Sequence, residues 1–216
     1  GASQGIGRAF AMECAGRGMN LFLVALPNRL LDETVSEIRK DFEVEVVSLG
    51  IDLTAEDAPQ KIHDFTRQND IRINFLINNA GFGTSGLFEC SDHRINNRMI
   101  KLNNLGLVGM THVFLEDLKN NAPSHILNMS SMEATLPLPY KAVYTGTKNF
   151  IYAFSLALRE ELRSSGVHVG IVCPGPVVTN EDGMKRIISQ GAKARILVRM
   201  PADVARYTIR KVLRKK

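Results

Sequence analysis

Short apolar runs alternate along this chain with longer stretches in which apolar residues recur at the helical period. The apolar runs predict buried strands at residues 21–25, 44–49, 75–77, 126–129 and 167–172. The periodic stretches predict helices at residues 6–18, 30–42, 55–69, 93–120 and 143–165. This alternation predicts an α/β protein, a three-layer α/β/α doubly wound parallel sheet. Such sheets bind ligands at the carboxyl ends of their strands, so we expect the chemistry in the loops there.

The length of 216 residues fits a single domain over residues 1–216. The chain opens inside a glycine-rich loop, which in a doubly wound sheet follows a central strand, and it ends after a helical stretch. We therefore expect truncation at both ends, with a first strand of about five to eight residues ahead of Gly1 and a final strand beyond Lys216. An inert fragment is one alternative, because losing a central strand leaves its neighbours with unpaired backbone groups.

The composition argues against nucleic-acid, membrane and metal chemistry. The net charge is +5, and the basic tail at residues 206–216 favours a solvated helix face over binding to nucleic acid or a membrane. No apolar run approaches the roughly 18 residues of a membrane span, and no signal peptide opens the chain. The three cysteines have neither metal-ligand nor disulfide spacing. We therefore expect reduced thiols, no metal site and a cytoplasmic location.

Two short motifs lie in loops that suit a nucleotide. Gly1, Gly5 and Gly7 give a G-x-x-x-G-x-G spacing that leads into a helix, whose amino end suits a pyrophosphate. A plain glycine turn is the alternative. The Asn-Asn-Ala-Gly run at 78–81 follows a strand and would flank a dinucleotide, although Asn and Gly also favour ordinary turns.

Two further motifs supply groups that transfer protons. Tyr144 and Lys148 lie four residues apart on a predicted helix and therefore share one face. A nearby ammonium would lower the tyrosine pKa from about 10 toward the range that a general acid or base needs at neutral pH. A chance surface pair is the alternative. Ser131 follows the strand at 126–129, where its hydroxyl could polarise a substrate carbonyl.

Together these motifs resemble those of the short-chain dehydrogenase/reductase family, and the resemblance covers essentially the whole chain. The positions that match in order and spacing are 1–7, Asp52, 78–81, Asn103, Ser131, Tyr144, Lys148, Pro174 and Gly175. The resemblance implies a Rossmann fold. It also implies hydride transfer between NAD(P)(H) and a carbonyl or alcohol, that is, ketone reduction or secondary alcohol oxidation.

The resemblance assigns catalytic roles to four residues. Tyr144 would give or take the proton, and Ser131 would hold the carbonyl. Lys148 would bind the nicotinamide ribose and lower the tyrosine pKa. Asn103 resembles the asparagine that fixes a water in the proton relay, with its neighbour Asn104 as the alternative.

The resemblance also assigns residues to cofactor binding. Asp52 would hold the adenine, Asn79 would lie against its ribose, and Thr179 would touch the nicotinamide carboxamide. The full implied set is Gly1, Ser3, Gln4, Gly5, Ile6, Gly7, Asp52, Leu53, Asn79, Ala80, Gly81, Tyr144, Lys148, Pro174, Gly175, Val177 and Thr179.

The usual discriminator between the two nicotinamide cofactors is missing. In such folds an acidic residue after the second strand selects NAD, and a basic one favours the 2′-phosphate of NADP. Here Leu26 stands at that position. Arg29 could reach a phosphate, or it could be a solvated charge at the start of a helix. This favours NADP(H) slightly over NAD(H).

Apolar residues dominate the expected substrate pocket, which suits a hydrophobic ketone or alcohol such as an acyl chain or a steroid-like ring. They are Phe82, Phe88, Met132, Leu136, Leu138 and Met184. Glu133 is a candidate for contact with a polar substrate group, and residues 180–200 would form a substrate lid. The resemblance further implies a homodimer or homotetramer that acts on a small molecule, without nucleic acid or a membrane.

A second hypothesis is a catalytically silent protein of the same fold that senses a nucleotide or serves as a scaffold. Such a protein would be expected to lose the four polar positions. Since Asn103, Ser131, Tyr144 and Lys148 are all present, the sequence favours the enzyme.

Overall fold

Strands and helices alternate along the chain as the sequence pattern predicts. The computed structural model describes residues 1–177 and 199–214. The strands are β1 (Leu21–Ala25), β2 (Val46–Gly50), β3 (Phe75–Asn78), β4 (Ser124–Met129) and β5 (Val167–Val172). The α-helices are α1 (Gly5–Ala15), α2 (Arg29–Asp41), α3 (Ala58–Gln68), α4 (His93–Ile100), α5 (Leu107–Asn120), α6 (Ala142–Glu161) and α7 (Pro201–Arg214).

One compact unit consists of Gly1–Ile51 and Pro174–Lys216. In it β1 and β2 pair in parallel, with Leu21 opposite Val46. The α2 helix begins directly after the β1 loop because the Asn28 side chain accepts a hydrogen bond from the Leu31 backbone N–H at 3.3 Å. Its apolar face then packs on a core with α1, β1 and β2. This packing sets the glycine loop and the α2 amino end close to the carboxyl end of β1.

The other unit consists of Asp52–Cys173 and holds a three-stranded parallel sheet in the order β3-β4-β5. The central strand β4 is the most buried of the three, because helices cover it and both neighbouring strands pair with it. The core includes Phe114 of α5, Ile126 and Leu127 of β4, and Ile151 of α6.

A buried polar network ties this sheet to two helices. The Asn78 side-chain amide donates to Asn128 Oδ1 at 2.9 Å and to Thr111 Oγ1 at 3.0 Å. Asn128 in turn donates to Ser155 Oγ at 2.9 Å, and both Asn128 and Ser155 are fully buried. Asn78, expected in a loop, is therefore the last residue of β3. The network fixes the point at which residues 79–83 leave the sheet.

The helical segment predicted over residues 93–120 is confirmed in its bounds, but it is not α-helical throughout. A π-helix, Lys101–Gly106, separates α4 from α5. Its wide turn carries Asn103 and Asn104, whose buried side chains bond to groups outside the helix. Bulges of this kind concentrate at functional sites.

Among the described residues, no helix is both long enough and apolar enough to cross a membrane. The same residues contain no cluster of His, Cys, Asp and Glu side chains suited to a metal ion. The single domain, the added strands, the oligomer and the cytoplasmic location stay predictions.

Candidate active site

The β4 strand carries Ser131 to the carboxyl edge of the three-stranded sheet. The Ser130 backbone N–H donates to Val172 O, and the Ser130 hydroxyl donates to Lys148 O, both at 2.8 Å. These bonds tie the strand end to β5 and to α6. Ser131 follows in an extended conformation, and its hydroxyl accepts a hydrogen bond from the Glu133 N–H at 3.1 Å. That bond caps a short 3₁₀ turn, Met132–Ala134.

Helix α6 brings Tyr144 and Lys148 to the same place. The Ser131 side chain hydrogen-bonds to the Tyr144 phenol. The Lys148 amine lies 5.9 Å from the centroid of the Tyr144 ring and donates to Met129 O at 2.9 Å. Lys148 is only 5% exposed. The structure therefore brings together the three side chains that the sequence predicts for carbonyl binding and proton transfer.

The expected lowering of the Tyr144 pKa by Lys148 is wrong. Burial raises the pKa of Tyr144 above its ordinary value, the Ser131 hydrogen bond partly opposes this rise, and the Glu133 carboxylate adds to it. The physical reason is the direction of Lys148, whose amine is held by Met129 O rather than by the phenol oxygen. Burial also lowers the pKa of Lys148 to about 8, so the amine is still largely protonated at neutral pH.

Asn103 joins the loop after β3 to α6. Its Oδ1 accepts from the Phe82 N–H at 3.0 Å, while its amide donates to Phe82 O at 2.9 Å and to Thr147 Oγ1 at 3.0 Å. Both amide hydrogens are thus used within the protein. The amide of Asn104 donates to Thr147 O at 3.0 Å. That Asn103 binds a water stays a prediction. Its side-chain N–H groups are not available for this water, because both donate to groups of the protein.

Two glycines let the 79–83 loop approach these groups closely. A methyl group at Gly81 would lie 2.9 Å from Asn103 Oδ1 and 3.5 Å from Lys148 Nζ. A methyl group at Gly83 would lie 2.5 Å from Cδ2 of the Tyr144 ring, inside any ordinary contact distance. Gly83 was not among the predicted site residues, because its contact with Tyr144 joins distant parts of the chain.

The glycine loop has the features of an anion site. Gly5 has φ +57°, a conformation that a glycine adopts without strain. Gln4, at the N-cap of α1, makes no side-chain capping bond, and the first turn of that helix contains no acidic residue. The helix N–H groups and its positive end suit an anion, and pyrophosphate binding by Gly1, Gly5, Ile6 and Gly7 stays a prediction. The neighbouring Ser3 is buried, and its carbonyl accepts a hydrogen bond from Thr34 at 3.4 Å.

Asp52, predicted to hold adenine, has two partners. Its carboxylate accepts from the Thr54 N–H at 2.9 Å and pairs with Arg98 at 3.5 Å. The Thr54 N–H is the main cause of the lowered pKa of Asp52, and Arg98 contributes. The adjacent Leu53 packs against Gly106 in the π-helix. Arg98 was not among the predicted site residues.

The predicted nicotinamide-side segment is described only in part. Pro174, Gly175 and Val177 follow β5, and Val177 bridges to Arg199. Thr179, Met184 and nearly all of the predicted lid at 180–200 lie outside the described residues.

A cavity of about 180 Å³ opens beside Tyr144. Its lining includes Leu87, Phe88, Ile95 and Tyr140, each of which is more than 40% exposed. Of the predicted pocket residues that the structure describes, Phe88 lines it, whereas Phe82, Met132, Leu136 and Leu138 do not. The other lining residues come from the loop after β3, from α4 and from the start of α6. The sequence pattern does not identify their apolar side chains as pocket residues.

Comparison with known proteins decides the family. The family model described as short chain dehydrogenase matches residues 1–190. The chain belongs to the short-chain dehydrogenase family. The human very-long-chain 3-oxoacyl-CoA reductase is 34% identical over 187 residues, which are 83% of this chain and 58% of that protein. The human 17-beta-hydroxysteroid dehydrogenase type 3 is 30% identical over 184 residues, with the same coverage. The chain thus spans somewhat over half the length of these curated relatives.

Solved structures of the family confirm the Rossmann-like α/β fold class. A short-chain dehydrogenase from Sphingobium yanoikuyae, in complex with NADPH, superposes with a TM-score of 0.88 at 29% identity. The match covers 100% of this chain and 83% of that one. A short chain dehydrogenase/reductase from Burkholderia phymatum in complex with NAD gives a TM-score of 0.86 over 99% and 83% of the two chains. At 24% identity this second similarity bears on the fold alone.

Proposed function

We propose that this protein is an NADP(H)-dependent oxidoreductase that reduces a ketone on a long apolar substrate, with a 3-oxoacyl thioester as the leading substrate class. The observation that carries the proposal is the joint placement of Ser131, Tyr144 and the buried amine of Lys148, with Tyr144 also lining a cavity that contains several apolar side chains. Family membership and the names of the relatives support the same reaction class.

Each of the two units contains a loop that would suit part of a dinucleotide, the glycine loop in one and the 79–81 loop in the other. The uncapped amino end of α1 would hold the pyrophosphate, and Asp52 would hold the adenine. Gly81 leaves open the space beside Lys148 in which a ribose hydroxyl could bond to the amine. When bound, the cofactor supplies the hydride.

The protein's own groups handle the proton. Burial keeps Tyr144 protonated at neutral pH, because its pKa is raised. Ser131 and Tyr144 together would donate hydrogen bonds to the substrate oxygen, and Tyr144 would then transfer its proton to that oxygen. Lys148, whose amine bonds to Met129 O, would serve cofactor binding rather than act on the phenol.

The cavity supports the substrate class. Leu87, Phe88 and Ile95 present apolar side chains next to Tyr144, and their exposure leaves them available for contact with a substrate. Each buried methylene contributes about 0.8 kcal/mol, or roughly fourfold in affinity.

The test is an assay of nicotinamide absorbance with NADPH and 3-oxoacyl thioesters of increasing chain length, alongside bulky cyclic ketones. We expect kcat/KM to rise by up to about fourfold per methylene until the cavity is filled. Turnover that is independent of chain length would contradict the substrate class. Absence of turnover with every carbonyl and both cofactors would overturn the proposed reaction.

Arg29 is the basis of the NADP preference. Its side chain is 90% exposed at the start of α2 and forms an ion pair with Glu33 at 2.6 Å, which contributes little stability because both groups are solvated. We expect Arg29→Ala to weaken NADPH binding on the order of tenfold and to leave NADH binding unchanged, because only NADPH carries the 2′-phosphate. Fluorescence titration with each cofactor measures this.

Lys40→Ala is the matched control, since Lys40 is an exposed cation near the other end of α2. Equal weakening of both cofactors by Arg29→Ala, or tighter binding of NADH by the wild-type protein, would contradict the preference.

A further inference from the structure

An ion pair joins the segment that carries Ser131 to the helix that carries Tyr144. Lys141 Nζ lies 2.7 Å from Glu133 Oε1. Glu133 lies in the 3₁₀ turn that Ser131 caps, and Lys141 is the N-cap residue of α6, three positions before Tyr144. The pair therefore joins the two ends of the loop at 134–140, close in sequence to Ser131 on one side and to Tyr144 on the other.

The second carboxylate oxygen of Glu133 is buried and has no hydrogen-bond partner among the described residues. The side chains of Lys141 and Glu133 are 36% and 24% exposed, so the ion pair itself is partly solvated and contributes little to stability. Buried polar atoms left without partners call for a reason other than stability. Here the same carboxylate acts electrostatically on Tyr144.

On the basis of the proposed oxidoreductase function, we propose that Glu133 and Lys141 form a positioning pair that fixes the Ser131 and Tyr144 hydroxyls relative to each other for the reaction. Neither residue needs to touch the substrate for this role.

The hydrogen bonds around the pair transmit its position to both hydroxyls. On one side, the Glu133 N–H donates to Ser131 Oγ at 3.1 Å, so the placement of Glu133 orients that oxygen. On the other side, Lys141 O accepts the Thr145 N–H at 2.9 Å, which starts the helical turn containing Tyr144. A second, uncharged link runs from the Asn149 amide to Ala134 O at 2.9 Å. This link holds the turn against α6 if the ion pair is removed.

The charge of Glu133 gives the pair a measurable signature. Several charged or titratable groups lie around Tyr144. They are Glu133 after β4, Lys141 at the N-cap of α6, Lys148 on α6, Cys173 after β5 next to Lys148, Asp92 at the N-cap of α4, and its partner Arg94 in the first turn of α4. Of these, Glu133 raises the pKa of Tyr144. Neutralising Glu133 therefore moves proton loss from Tyr144 to lower pH, a change that a merely structural contact would not produce.

The test compares Glu133→Gln, Lys141→Met, the double variant and the charge-swapped variant Glu133→Lys/Lys141→Glu. We expect each single change to lower kcat on the order of 10- to 100-fold with little change in KM, because misplaced groups lose rate rather than affinity. The swapped variant should recover most of the loss. The two single effects should not add in the double variant. Asp57→Asn, which breaks the exposed Asp57–Lys61 pair, is the matched control and should have no effect.

The pH dependence gives the second readout. The Tyr144-dependent limb of the pH–rate profile should move to lower pH in Glu133→Gln, and further still in the swapped variant, where an ammonium replaces the carboxylate. If both single variants kept the wild-type kcat and the wild-type pH–rate profile, the positioning role of the pair would be contradicted. The proposed oxidoreductase function would not be affected.

A measurement without turnover separates the two proposals. The chain has four tyrosines, so phenolate absorbance of wild type minus Tyr144→Phe isolates the titration of Tyr144. The same difference in a Glu133→Gln background should titrate at lower pH, even if no substrate is found. An identical titration in both backgrounds would overturn the pair. If Lys141→Met does not fold, the neutral double variant replaces it in the comparison.

Discussion

Tyr144→Phe is expected to bind NADPH as the wild-type protein does and to lose about 10³-fold or more in kcat. The change removes the hydroxyl that bonds to Ser131 and leaves the ring in place against Gly83. Loss of a general acid at the reacting oxygen typically removes 10²- to 10⁴-fold in rate. Steady-state turnover and cofactor fluorescence titration on the same preparation measure the two quantities.

Tyr152→Phe is the control for this variant, because Tyr152 lies two turns further along α6 and outside the candidate site. It should behave as wild type. If Tyr144→Phe kept more than about a tenth of the wild-type rate, the proton would have to come from another group and the assignment would fail.

Gly83→Ala is expected to lower kcat on the order of 10²-fold without preventing folding. The added methyl would lie 2.5 Å from the Tyr144 ring, so the ring or the loop must move. The loop is held by the two bonds between Phe82 and Asn103, which leaves the ring as the part that gives way. A displacement near 1 Å at a reacting group can remove about 10²-fold in rate. Overpacking of this kind lowers the free energy of unfolding by about 1–3 kcal/mol.

Gly146→Ala is the matched control for Gly83→Ala, because it adds the same methyl group at another glycine near Tyr144. Gly146 lies on α6 two residues beyond Tyr144, and a methyl group there would meet no atom within 4 Å. Alanine is the better helix former by about 1 kcal/mol, so this variant should keep its rate and melt at a slightly higher temperature. If Gly83→Ala retained the wild-type kcat, the space at residue 83 would have no role in holding the tyrosine.

Much of the fold follows from sequence pattern because burial and periodicity agree over whole elements. Strands β1 and β5 begin and end where their apolar runs do. Strand β2 starts later than predicted, because Glu45 pairs its N–H with the Asn20 side chain before the ladder begins. The π-helix could not be predicted, since six residues are too few to distinguish its period from that of an α-helix.

The candidate site was predictable as a set of residue types and less so as a set of interactions. The spacing of Tyr144 and Lys148 places both on one helix face, and the end of β4 places Ser131 beside them. The direction of the Tyr144 pKa depends on burial and on the hydrogen bond between Lys148 and Met129. Neither the burial nor this hydrogen bond can be inferred from the spacing of residues in the sequence. The Glu133–Lys141 pair arises only because the loop between them folds back.

The hydrogen bond between the Asn78 and Asn128 side chains fixes the register in which β3 pairs with β4. Asn78 lies directly opposite Asn128, and their bond requires this alignment. A shift of the register by one residue would place Ile77 opposite Asn128 and leave the side-chain amides of Asn78 and Asn128 without each other as partners in the interior. Two apolar side chains at these positions would tolerate the same shift more easily. Conformations in which β3 and β4 pair in another register are therefore less stable, whether or not a ligand is bound. The point at which the 79–83 loop leaves the sheet therefore depends on this alignment.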